Sequence, residues 1–251
     1  MALDPANLAL IEGARPVIEA IRAGRRRVRS VHLPEGDGSS ARRELEAVLA
    51  ERAIERREAK RGEGIHAFAD PYPEEEFEAL LGAPSPRLLV ALDRVTDVGN
   101  LGSIARSAEG AGALGLVLEH RHSPPIAAGA LRASAGALEH LRVGRTPNLA
   151  RAVELARAEG LQILVADAAG LALEDVPTAV FCSDLLWVFG SEDLGARPAV
   201  RRSATATVGI PLSGKVGSLG VAAAAAYLLL RTAELRRVAA GAKIAGSAKT
   251  S

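Results

Sequence analysis

Five short apolar runs punctuate the chain from Arg87 onward: RLLVAL (Arg87 to Leu92), LGLVL (Leu114 to Leu118), LQILVA (Leu161 to Ala166), LLWVFG (Leu185 to Gly190) and ATVGIPL (Ala206 to Leu212). Helical segments separate most of them. That alternation predicts an α/β domain, a mostly parallel sheet covered on both faces by helices. Ligands of such sheets gather beyond the carboxyl ends of the strands. Three Gly-rich segments fall there: DVGNLGSIARSAEGAG (Asp97 to Gly112), VFGSEDLGAR (Val188 to Arg197) and IPLSGKVGSLGVAAAAAYLLL (Ile210 to Leu230). Glycine lets main chain approach a ligand closely, so the expectation is a pocket built largely from backbone groups.

Two prolines among small residues in GAPSPR (Gly82 to Arg87) mark the best linker. The expected organisation is a small α/β domain over 1–82, a linker at 83–87, the sheet domain over 88–238 and a disordered tail over 239–251, where AAGAKIAGSAKTS is small, polar and aperiodic. Within the first domain the pattern predicts a helix from Leu8 to Ala23, a strand at VRSVHL (Val28 to Leu33), a charged helix from Arg42 to Arg57 and an apolar strand-like IHAFA (Ile65 to Ala69).

At 251 residues and 48% hydrophobic content, the chain can bury one large or two modest cores. A formal net charge of +1 neither demands nor excludes a polyanionic partner. All basic residues but Lys60, Lys215, Lys243 and Lys249 are arginine, which suits bidentate phosphate recognition and which a GC-rich genome would also produce. Cys182, the only cysteine, excludes an intrachain disulfide and a cysteine-based zinc site, and points to a reducing cytoplasm. MALDPANLALIEG lacks the basic n-region of a secretory signal. The uncharged stretch from Val216 to Leu230 falls short of the ~20 residues that span a bilayer, so no membrane role is expected.

The loops fit none of the common nucleotide or nucleophile signatures. Gly99 and Gly102 do not make G-x-G-x-x-G, Gly214-Lys215-Val216 lacks the hydroxyl of a Walker loop, and no G-x-S-x-G is present. What remains near the strand ends is Asn100, Arg106, Glu192 and Ser218, with no nucleophile and base pair among them, a set suited to positioning chemistry.

Taken in order, DVGNLGSIARSAEGAGA, VFGSEDLGARP and IPLSGKVGSLGVAAAAAY resemble the three motifs of the SpoU-type (TrmH-like) RNA 2′-O-ribose methyltransferases of the SPOUT superfamily. ASAGALEHLRVGRTPNLARAVE (Ala133 to Glu154) looks like the family's connecting region, and EGARPVIEAI with VRSVHL like its small RNA-binding domain. The resemblance implies a C-terminal trefoil knot, a homodimer with a site completed across its interface, and S-adenosylmethionine as cofactor. It assigns the cofactor to the backbone at Gly190, Ile210 and Leu219, with Leu212 lining the pocket. Arg106 matches the catalytic arginine, Asn100 its supporting asparagine, Glu192 the second-motif acid and Ser218 the third-motif serine. Since guanidinium holds its proton, Arg106 is expected to grip an RNA phosphate and stabilise developing alkoxide, with Glu192 and Asn100 orienting it. Two positions depart from the pattern: Val98 replaces a common proline, and Gly220 stands where the family's Ser-Leu-Asn has its asparagine.

Other features have two readings. Arg106 alone would be a solvated helix arginine, Glu192 a carboxylate compensating a helix dipole, and Ser218 the N-cap of the last helix. His120 and His122 read as loop histidines without metal partners. Arg22, Arg25, Arg26, Arg27 and Arg29 either track an RNA backbone or form a solvated helix end. At 3% aromatic residues, the composition argues against a stacking platform and for shape and phosphate contacts to folded RNA. The expected function is ribose 2′-O-methylation of structured RNA, 23S ribosomal RNA first, with transfer RNA, or a catalytically weak RNA-binding protein, as alternatives.

Overall fold

A computed structural model describes residues 7–36, 38–215 and 217–247. The elements in chain order are β1 (Ala9–Glu12), α1 (Ala14–Ala23), β2 (Val28–Leu33), α2 (Ser40–Ala50), β3 (Glu55–Glu58), β4 (His66–Ala69), β5 (Glu74–Glu76), α3 (Phe77–Leu81), β6 (Leu88–Asp93), α4 (Val98–Gly110) and β7 (Gly115–Glu119). There follow α5 (Ala128–Ala133), β8 (Arg142–Thr146), α6 (Leu149–Ala158), β9 (Gln162–Ala172), α7 (Thr178–Cys182), β10 (Leu185–Gly190), α8 (Pro198–Arg201), β11 (Ala206–Gly209) and α9 (Val221–Ser247). Among the described residues they group into two compact units, one drawn from 7–74, 97–106 and 124–142, the other from 75–96, 107–123 and 143–247.

The first unit holds a four-stranded sheet in the order β1-β4-β2-β3. Ile11, Val31, Ala67 and Ala69 are fully buried on one of its faces, with α1 against it through Val17, Ile18 and Ile21. The expected helix over Leu8 to Ala23 is corrected at its start: Ala9–Glu12 pairs with β4, and Gly13 at φ 94° turns the chain into α1. The helix expected from Arg42 to Arg57 stops at Ala50, and Glu55–Glu58 joins β2 in parallel: strand pairing overrides the favourable helix propensity of Glu and Arg. Segment 97–106 reaches this unit through Gly102, where a Cβ would lie 2.4 Å from Ala133 Cβ. Close helix contact therefore requires a glycine there.

The arginine cluster of this unit is largely spent on structure. Arg26 Nε donates to Glu139 Oε2 at 3.1 Å, with the two side chains 2% and 1% exposed. Arg29 forks onto Asp70 at 2.6 and 3.1 Å, Arg25 donates to Tyr72 Oη and the Leu141 carbonyl, and Arg22 pairs with Glu19 and Glu44. Arg27 is exposed.

The second unit holds a seven-stranded sheet in the order β11-β9-β10-β6-β7-β8-β5, in which β11, β9, β10, β6 and β7 run parallel. All five apolar runs are strands of it. The pattern did not reveal β8 or the three-residue β5. Every residue of β6 and β10 is buried, as a strand covered on both faces must be. Trp187 on β10 donates Nε1–H to Thr232 on α9 at 3.0 Å. Further along α9, Arg236 donates to the carbonyls of Phe181, Arg87 and Ser183; burial holds its pKa below the ordinary arginine value. The tail expected to be disordered is helical as far as Ser247, since its alanines are strong helix formers; 248–251 lie outside the described residues. Among the described residues no helix is long and apolar enough to cross a membrane.

The segment 83–87 lies in the second unit, pinned by Asp184. Ser85 Oγ donates to Asp184 Oδ2 at 2.7 Å and the Arg87 amide to Oδ1 at 2.6 Å, with the Arg87 guanidinium alongside. These bonds, the Arg87 guanidinium first, lower the Asp184 pKa from 3.8 to about 2. A lowered folded-state pKa contributes stability above the unfolded value and loses it as pH falls toward the folded one. Asp184→Asn is therefore expected to lower unfolding stability near neutral pH by about 1 to 2 kcal/mol, allowing for its partly exposed edge. In urea titrations the gap to wild type should close as pH falls from about 5 to about 2; a pH-independent gap would contradict the assignment.

Candidate functional site

At the end of β10 the chain doubles back sharply. Gly195 N–H donates to the Ser191 carbonyl at 2.8 Å, Gly195 has φ 64°, and a Cβ on Gly190 would stand 2.0 Å from Ala196 N. Only glycine fits at 190, and the crowding comes from the chain itself. At the end of β11 a Cβ on Gly209 would meet the Asp167 carbonyl at 3.0 Å. By contrast, Gly214 and Gly217 in the third loop have nothing within 4 Å. The expectation that loop glycines admit a ligand thus needs correction at Gly102 and Gly190, where they admit neighbouring backbone.

These loops enclose a cavity of about 350 Å³ whose lining includes Gly190, Glu192, Ile210, Leu212, Ser218 and Leu219. Its rim carries exposed leucines, Leu194 at 81%, Leu219 at 44% and Leu212 at 39%. Apolar side chains around a concavity with a few polar groups form a small-molecule site. Asn100 and Arg106 stand elsewhere in the chain, on α4. The Asn100 backbone N–H donates to Asp97 Oδ1 at 2.7 Å, so Asp97 caps that helix. Arg106 is exposed. Both belong to the first compact unit and are not among the cavity-lining residues.

Two groups of charges escaped the sequence reading. Asp167 and Arg201 form an ion pair in the cavity wall; Asp167 follows an apolar run, the same signal that drew attention to Glu192. The other group supports the site from behind. Asp93 and Glu119, the last residues of β6 and β7, are 0% and 5% exposed. Arg197 joins them: its amide and Nε donate to Asp93 at 2.7 and 2.6 Å, and Nη2 to Glu119 at 2.6 Å. Glu119 also accepts the Leu149 amide at 2.9 Å. Burial lowers the Arg197 pKa, but the two carboxylates outweigh it and raise it above the ordinary value. This anchor holds the end of the turn that carries Glu192 and Leu194. Among the described residues no group of histidine, cysteine, aspartate and glutamate is arranged to hold a metal ion; His120 and His122 are exposed.

A family model described as SpoU rRNA Methylase family matches residues 87–230. A Mycobacterium avium (strain 104) protein described as an uncharacterized tRNA/rRNA methyltransferase is 33% identical over 244 residues, covering 90% of this chain and 77% of its own. The solved SpoU methyltransferase AviRb from Streptomyces viridochromogenes, in complex with the cofactor AdoMet, superposes with a TM-score of 0.76 at 28% identity, over 93% of this chain and 92% of that one. A structure described as an RNA 2′-O ribose methyltransferase gives a TM-score of 0.73 at 25% identity, over 92% and 90%.

Removing the Arg197 side chain leaves two buried carboxylates without their cation. Arg197→Ala is expected to cost about 3 to 5 kcal/mol, read as a fall in melting temperature. Arg197→Lys, which keeps the charge and loses the fork, should recover part of the stability. Wild-type stability in the alanine variant would refute the anchor.

Proposed function

The chain belongs to the SpoU rRNA methylase family, and from that premise we propose that it transfers a methyl group from S-adenosylmethionine to a ribose 2′-hydroxyl of structured RNA. We take 23S ribosomal RNA as the substrate class and transfer RNA as the alternative. The observation that carries the reading is the cavity at the ends of β10 and β11, lined by Gly190, Ile210, Leu212 and Leu219. The RNA and cofactor descriptions of the relatives support it.

The cavity fits such a cofactor. Its volume of about 350 Å³ lies within the ~300 to 1,000 Å³ of small-molecule sites, and its wall combines apolar side chains with strand-end backbone able to read an adenine edge. The backbone at Gly190, Ile210 and Leu219 would hold the adenosyl group, with Leu212 against it. When bound, S-adenosylmethionine supplies an electrophilic methyl group. The protein's share is orientation and charge: Glu192 and Ser218 offer an acceptor and a hydroxyl at the cavity wall. Arg106, a permanent cation exposed on α4, grips an RNA phosphate and stabilises alkoxide as the hydroxyl proton leaves.

The reading extends to a cytoplasmic homodimer with the family's knotted C-terminal segment. Along α9 Tyr227, Leu230 and Val238 are 39%, 50% and 62% exposed. Their spacing places them on one side of the helix with the Arg231–Glu234 ion pair between them, a mixed face suited to a second copy.

Gly220 motivates the second reading, a cofactor- and RNA-binding protein with weak turnover. A Cβ there would lie 3.4 Å from Glu192 Oε1, so an asparagine amide at 220 would reach that carboxylate and Gly220 cannot. Gly220→Asn is expected to raise methyl transfer; an unchanged or lower rate would mean that the site works without the amide.

Labelled methyl transfer to ribosomal and transfer RNA from cells lacking the protein, with mapping of the ribose mark, tests the activity directly. Arg106→Ala should lower turnover by roughly 10²- to 10³-fold and leave cofactor affinity by calorimetry unchanged. Near-normal transfer in that variant would remove Arg106 from the chemistry.

A further inference from the structure

The sheet of the first unit has a second face. Leu10 and Glu12 on β1 alternate with the buried Ile11. Across the strands the register sets Glu12, His66, His32 and Arg57 in one row and Leu10, Phe68 and Ser30 in the next. His32 and His66 stack with centroids 4.6 Å apart, and Phe68 meets them edge-on at 5.4 and 5.8 Å. All three rings are only partly buried.

Their concentration there contrasts with the rest of the chain. Of its four phenylalanines, Phe77, Phe181 and Phe189 are fully buried in the second unit, which leaves Phe68 as the one away from that core. The low aromatic content is thus a poor guide, because two histidines join the one phenylalanine outside that core on this sheet face. Beside them lies a cavity of about 740 Å³, lined by Leu10, Glu12, Ile65, His66, Phe68 and Arg132. His66 is held in place, its Nδ1 2.9 Å from the Gly64 carbonyl. Burial, then His66 and Arg57, lower the His32 pKa, so its ring is neutral near neutral pH.

Partly exposed rings beside a cavity match the flat faces of nucleobases, which stack on aromatic side chains irrespective of sequence. Glu12 and Glu63 line the cavity beside Arg132, with Glu63 3.8 Å from His66 Nε2, so the groups here able to meet a nucleic acid backbone are the two arginines. Arg132 and Arg57 flank the rings on their two sides, 63% and 56% exposed, paired among the described residues with the partly exposed Glu12 and the exposed Glu55. Surface pairs of this kind are weak, so a phosphate can displace the carboxylate. We infer that an unpaired base of the RNA substrate seats in this cavity, stacked on His66 and Phe68 with His32 behind, while Arg132 meets a neighbouring phosphate. The inference rests on the RNA substrate proposed above and names the surface of the first unit that holds it.

The test is fluorescence anisotropy with the full chain and two labelled RNAs, an unpaired strand of about ten nucleotides and a fully paired duplex. Phe68→Leu keeps the apolar volume and removes the ring; His66→Gln is the second variant, and circular dichroism checks both folds. The unpaired strand should bind roughly five- to a hundredfold more weakly in each variant, with duplex binding and cofactor affinity unchanged. Wild-type affinity in both folded variants, or equal losses on duplex and single strand, would overturn the platform even if methyl transfer is established. Loss of single-strand affinity in a protein that methylates no RNA would support the platform and remove the proposed activity. A wild type that binds neither RNA would overturn both.

Discussion

Two carboxylates withheld from water at adjacent strand ends have to share a cation, and the second unit is arranged around that requirement. Asp93 and Glu119 end β6 and β7, and Arg197 reaches both from beyond the turn that follows β10. An unpaired charge there would cost several kilocalories per mole. Satisfying it fixes the return path of the chain after Gly190, and hence where Glu192 and Leu194 stand on the cavity wall. The site's shape is therefore set by groups outside the cavity lining.

Glycine serves two physical purposes in the three loops, and only one was visible from composition. Gly190 and Gly102 are tight against neighbouring backbone or side chain, where a methyl group would force the chain apart. Gly214 and Gly217 stand in open space and leave the third loop free of bulk beside the cavity. A run of glycines in sequence cannot separate these cases, because the distinction lies in what another segment places opposite each one.

The same holds for the arginines of the first unit. In sequence Arg22 to Arg29 form a basic cluster without an acid among them, which invites a phosphate-binding reading. In the fold Glu139 and Asp70, distant in the chain, take up Arg26 and Arg29. The aromatic residues ran the other way. Their scarcity argued against stacking, yet β2 and β4 bring His32, His66 and Phe68 together, since pairing places alternate residues of adjacent strands side by side on one face.

By itself, the sequence determined the parallel sheet, since strands buried on both faces must be apolar along nearly their whole length, and LLVAL and LLWVFG have no polar face to expose. It also determined the family, through three motifs whose order no single loop carries, and it marked Gly190, Glu192, Ile210, Leu212, Ser218 and Leu219, which one cavity then collected. Tertiary structure alone decided that 97–106 and 124–142 join the first unit, that Glu55–Glu58 is a strand, and that Arg197 lies between Asp93 and Glu119. Local pattern records which face of an element is apolar. Which charged or small residue will stand opposite it depends on partners tens of residues away, and only the folded chain brings those together.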